Sequence, residues 1–166
     1  MTEAPSPIAD GNEERGLTPL HPNYITLLRL RTAIAAVPFA IGALVLEGAA
    51  DRLPGGVLIG PVLVLAALAI ARVPLRRHAA RGYDLAADRL RVVRGLWFRS
   101  DTVVPLGRVQ HIDIDQGALE RGLGLATLTV HTAGTHNASV SLPGLAAAEA
   151  EAMRETIAAH IKRELL

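Results

Sequence analysis

His111, Asp113 and Asp115 stand at alternate positions in the segment Arg108-Val109-Gln110-His111-Ile112-Asp113-Ile114-Asp115-Gln116. An imidazole and two carboxylates on one strand face could ligate a divalent metal, or supply a general base and the acid that orients it. Alternate strand residues lie about 7 Å apart, so one ion would reach all three only if the strand bent or a neighbour contributed. The competing reading is the wet outer face of an amphipathic strand, and it is the one adopted: no catalytic, cofactor-binding or metal-ligating residue is assigned. Ser139 and Ser141 lack a nucleophile elbow, and His131, His136 and His160 fall in separate segments. Gly122-Leu123-Gly124 lacks the third glycine and the following helix of a dinucleotide turn. The absence of cysteine removes disulfides, thiolate zinc sites, iron–sulfur clusters and a cysteine nucleophile.

The other chemically suggestive group is cationic. Between Arg72 and Arg108 nine arginines face Asp84, Asp88 and Asp101, a net charge of +6. Arg72, Arg76, Arg77 and Arg81 are the candidate contacts to anionic lipid, each worth about 1 kcal/mol near a charged headgroup layer. The whole chain carries only +1, too little for a dedicated nucleic-acid binder, and no nucleic-acid partner is expected.

These residues need elements to hold them. The chain has 166 residues, half of them hydrophobic but only 3% aromatic, with mean hydropathy +0.30. So few large rings and so much apolar character point to apolar content outside a soluble core. It lies in two runs free of charge, Thr32 to Leu46 and Leu53 to Ala71; the second, of 19 residues, nearly spans a hydrocarbon layer of about 30 Å. Leu27, Leu28 and Leu30 extend the first run, with Arg29 and Arg31 snorkelling. Two spans, about 30–50 and 53–71, therefore form a transmembrane hairpin within residues 24–77. A pair of core helices or a signal sequence are the rejected alternatives. Pro38 and Gly60-Pro61 interrupt backbone bonding, as membrane helices tolerate. Neither charge-free run holds an ionisable residue, which argues against a transport path. Arginines flank both outer ends, so the positive-inside bias puts both termini in the cytoplasm.

Residues 1–23, with four prolines and no apolar periodicity, read as a disordered tail. Beyond Arg81 short alternating segments follow: Gly82–Leu85 and Leu90–Val93 about the turn Ala86-Ala87-Asp88, then Thr102–Val104, the His111 segment, Leu125–Thr132 and Ala138–Leu142. After Pro143-Gly144, the spacing of Ala150, Met153, Ile157, Ile161 and Leu165 gives a helix with one apolar stripe. The fold class is α+β membrane protein: a two-helix hairpin, then an antiparallel β-barrel or sandwich over residues 81–166 capped by a C-terminal helix.

The order Val104-Pro105, Val109-Gln110-His111-Ile112-Asp113, Gln116-Gly117, Gly124-Leu125-Ala126 and Val130-His131-Thr132-Ala133-Gly134 resembles the bacterial pleckstrin-homology-like (PH) domain of YdbS-like membrane proteins. The resemblance implies a cytoplasmic PH-like domain in the bacterial plasma membrane and no catalytic residues. Its implied partners are the lipid bilayer and other membrane proteins: a larger relative with repeated PH-like domains, and further copies of the chain. The expectation is a non-enzymatic adaptor or scaffold subunit, against a module sensing anionic lipid or a metal-dependent enzyme built on His111, Asp113 and Asp115. A specific inositol-phosphate pocket is not expected, because the first hairpin turn carries no cation. Trp97, the single tryptophan, is read as a packing residue.

Overall fold

In the computed structural model the described residues are 16–49, 54–95, 98–133 and 139–164. They form two compact units, one from Ile25 to Arg76, the other from Arg77 onward together with the segment ending at Tyr24.

The first unit holds most of two helices, α1 (Asn23–Ala49) and α2 (Ile59–Ala79). At about 1.5 Å per residue both are long enough for a hydrocarbon layer. Only 6% of each apolar window is buried, and Phe39, Leu44, Val45, Leu46 and Leu65 are open along the flanks. Core helices of a soluble fold would be covered all round, so that alternative is dismissed. The second helix begins at Ile59, six residues after the expected start at Leu53, because Pro54-Gly55-Gly56 belongs to the turn before it. Pro61 consequently sits in the first helical turn, where an N–H has no intrahelical acceptor, and interrupts nothing. The prolines inside helices are Pro38 and Pro74. Glu47, near the end of α1, accepts from the backbone N–H groups of Gly56, Leu58 (3.1 Å) and Ile59 (3.0 Å), capping α2 with its carboxylate.

The second unit contains two antiparallel sheets. One has the order β1 (Thr18–Pro19), β2 (Gly82–Leu85), β3 (Arg89–Arg94), β4 (Ser100–Pro105). The other runs β5 (Val109–Asp115), β6 (Leu125–Thr132), β7 (Ser139–Ala146), with a 3₁₀ turn at Leu106–Arg108 leading into β5 and the short helix α3 (Ala118–Gly122) between β5 and β6. The helix α4 (Ala147–Glu164) packs against β5, β6, β7 and the 3₁₀ turn. Its stripe behaves as the periodicity predicts, burying Ala150, Met153 and Ile157. Leu90, Leu106, Leu125, Leu128, Val130, Val140 and Leu145 fill the interior between helix and sheets.

Three expectations need correction. Residues 16–22 are not tail: Thr18 and Pro19 pair with Tyr83 and Gly82, and Leu17 and Leu20 are buried. The domain therefore draws on residues before the hairpin, while Met1 to Arg15 lie outside the described residues. Strict alternation in β5 fails as well, since Val109 and Ile112 are three apart and cannot share a strand face. A register shift between Val109 and His111 supplies the extra residue. Finally, Pro143-Gly144 does not end the last strand. Thr127 pairs with Pro143 and Ala126 with Leu145, so Gly144 is a bulge residue at φ +81° and β7 continues to Ala146.

Candidate functional site

The β5–β6 register brings together side chains that the sequence keeps apart. His111 lies directly across from His131. Their Nε2 atoms face the two oxygens of one carboxylate: His111 to Asp113 Oδ1 at 2.7 Å, His131 to Oδ2 at 3.1 Å. The rings are 6.0 Å apart and tilted by 39°. His131 thus belongs beside His111 rather than in an unrelated element; strand register, which spacing along one segment cannot reveal, decides it. Asp115 pairs opposite Thr127 farther along the strand and is exposed. Among the described residues no three histidine, aspartate or glutamate side chains are placed to hold a metal ion. The cluster is a surface group in which two imidazole Nε2 atoms lie within ion-pair distance of the Asp113 carboxylate.

The arginines divide by surroundings. Arg72, Arg76 and Arg77 are exposed on the last turns of α2. Arg81 is half-buried, donates through Nη1 to the Tyr24 hydroxyl, and holds its guanidinium 5.7 Å from the centre of the Tyr24 ring. Tyr24 is in turn packed on the β7 bulge: a Cβ on Gly144 would stand 2.5 Å from the ring. The surrounding backbone is tied as well, with His21 N–H donating to Gly144 C=O at 3.0 Å and Asn23 Nδ2 to Leu123 C=O at 3.1 Å. None of this was legible in the sequence, where Tyr24 reads only as the first residue of an apolar helix.

Elsewhere the polar groups support structure. Arg91 pairs with Asp101 across β3 and β4 through Nε (2.9 Å) and Nη2 (2.5 Å), and those hydrogen bonds hold the Asp101 carboxyl below its ordinary range. Glu120 is buried, accepting from Gly117 N–H at 2.8 Å and Thr127 Oγ1 at 3.3 Å. Ser141 meets Thr129 at 3.4 Å. Beside β2, β3 and β7 a cavity of about 100 Å³ has walls of Leu20, Val92, Val93 and Leu142, with Arg81 and Arg94 among its lining. That is below the roughly 300–1,000 Å³ of a typical small-molecule site. The grooves of about 270 and 380 Å³ between α1 and α2 are lined by apolar residues and glycine alone.

Two apolar helices followed by two sheets and a closing helix match the order expected of a PH-like domain in a membrane protein. The sequence profile described as Bacterial PH domain matches residues 30–161. The chain belongs to that family. It is also 33% identical over 85 residues to the transmembrane protein YdbS of Bacillus subtilis (strain 168), a match covering 51% of this chain and 52% of the relative. The chain thus spans about half the length of the curated relative it matches. No solved structure matches. This member of the bacterial PH domain family is a membrane protein with two helices long and apolar enough to cross a bilayer and an α+β PH-like domain. Its first hairpin turn at residues 86–88 carries no cation.

Proposed function

We propose that this chain is a multi-pass protein of the bacterial plasma membrane whose PH-like domain faces the cytoplasm and acts, without catalysis, as an adaptor or scaffold subunit for other membrane proteins. The observation that supports this most is an interior filled by the domain's own side chains combined with sheet borders that, among the described residues, have a ladder partner on one side only, at β4, β5 and β7. Such borders are templates for a further strand. Tethering by α1 and α2 concentrates the domain beside other membrane proteins, so weak edge contacts become occupied. The partners proposed are a larger relative with repeated PH-like domains and other copies of this chain.

A photo-crosslinking residue at Gln110, on the β5 border, tests the reading. In intact membranes it should yield a discrete adduct with another membrane protein or a second copy, while the same probe at Ala87 should not. Absence of any adduct at Gln110 and at Val103 on β4 would refute it. The topology is tested separately on a chain that carries no native cysteine. A membrane-impermeant maleimide should label Gly55→Cys in intact cells and Ala87→Cys only after permeabilisation.

A second reading, contact with anionic lipid, is supported by the exposure of Arg72, Arg76 and Arg77. Replacing these three by Gln should lower the phosphatidylglycerol that co-purifies with the chain; unchanged lipid content would set this reading aside.

A further inference from the structure

The β5 bulge sets which side chains meet on the exposed face of the second sheet. Without an extra residue after Val109, Gln110 would stand opposite His131, and His111 would turn to the other face. With it, His111 lies across from His131, and both side chains are open to solvent, at 69% and 41% exposure. Their Nε2 atoms approach the oxygens of one carboxylate, that of Asp113, so the two ring nitrogens converge. Convergence of two imidazole nitrogens is the arrangement that chelates a transition ion. The ring spacing agrees with it. Two imidazoles on one ion, with bonds of about 2.1 Å, have centres roughly 4.5–6.5 Å apart between a right-angled and a linear arrangement. The pair stands at 6.0 Å.

The donor atoms select the ion. Imidazole suits zinc, nickel and copper, whereas magnesium and calcium take oxygen ligands. Asp113 contributes charge: its carboxylate attracts a cation to the two nitrogens. It does not count as a third ligand, since among the described residues no three such side chains are placed to hold an ion. The residues opposite the cluster are Thr129, across from Asp113, and Ser139, across from His131; neither repels a cation. We propose that His111 and His131 form a two-nitrogen chelate for a divalent ion of the zinc, nickel and copper class, with Asp113 as its counter-charge and water in the remaining positions. Such an ion ties β5 to β6 through side chains, in addition to the backbone ladder. The site lies wholly within the second sheet and is independent both of the membrane placement of α1 and α2 and of the adaptor reading.

The full-length chain, free of any polyhistidine tag and held in detergent micelles, would be titrated with nickel chloride by calorimetry. We expect saturation at one ion per chain. His111→Ala and His131→Ala should each weaken binding by more than about tenfold, the scale on which even outer-shell partners of a metal count. Asp113→Asn should weaken it less than either, and His160→Ala, on α4, should leave it unchanged. Bound copper(II) should show coupling to two nitrogens in its electron paramagnetic resonance spectrum, and to one in each single histidine variant. Nickel should raise the melting temperature of the native chain but not that of His131→Ala, and unaltered melting without metal would show that the variants remain folded. Affinity unchanged in both histidine variants overturns the proposal. Magnesium bound as tightly as nickel overturns it in favour of a carboxylate site. A loss in Asp113→Asn as large as that in His131→Ala overturns the two-nitrogen assignment.

Discussion

At the scale of single residues, Tyr24 and Gly144 form a tightly constrained contact in the domain. A methyl group on Gly144 would collide with the ring and would also have to accept φ +81°, which non-glycine residues adopt at a cost. Gly144→Ala should destabilise the domain by about 2–4 kcal/mol, and Tyr24→Ala by about 3 kcal/mol. Because both act on one contact, the double variant should lose less than the two effects combined, a result thermal unfolding can read directly. Tyr83 offers a pH test. Burial, then the hydrogen bond it donates to Glu149, then the charge of that carboxylate raise its pKa far above the ordinary tyrosine value. Unfolded tyrosine titrates near pH 10, so above that pH the unfolded chain sheds the proton while the native state retains it. Stability from Tyr83 should be complete below about pH 10 and decline as the pH rises further. Melting curves across that range should show the decline in the native chain and a weaker one in Tyr83→Phe.

At the scale of elements, two devices hold segments in place. The Glu47 carboxylate satisfies N–H groups at the start of α2, so the turn between the helices is fastened by a side chain from α1. Glu47→Ala should leave both helices formed but open this turn to protease, visible as faster cleavage between Ala49 and Ile59 in reconstituted membranes; an unchanged cleavage rate would show that the cap is dispensable. The second device is the apolar stripe of α4. Ile157 is fully buried where the helix lies across the second sheet, and Ile157→Ala should cost about 3 kcal/mol in denaturant unfolding. Periodicity made that stripe legible in advance, since spacing of three and four residues has one helical interpretation. The bulges in β5 and β7 were not legible. Their extra residues become visible only when the partner strand supplies a register.

At the scale of the whole molecule, the functional reading depends on solvent partition. Two open apolar helices suit a bilayer, and a relative that the chain matches is described as a transmembrane protein. The domain attached to them has sheet borders at β4, β5 and β7 on which the proposed adaptor reading rests. If the adaptor reading is correct, deleting α1 and α2 while keeping the domain soluble should abolish the Gln110 crosslink at native expression, because the effective concentration supplied by tethering is lost.

Charge-free runs and strand alternation were enough to determine the hairpin, the class of the domain and its closing helix, because hydrophobic burial follows local periodicity. Which histidine meets His111, why Gly144 must lack a side chain, and that residues 16–22 join the sheet were decided only by the tertiary structure. Each depends on residues distant in sequence, from about 20 positions between His111 and His131 to well over a hundred between Tyr24 and Gly144. A chain read one segment at a time carries no register between such partners.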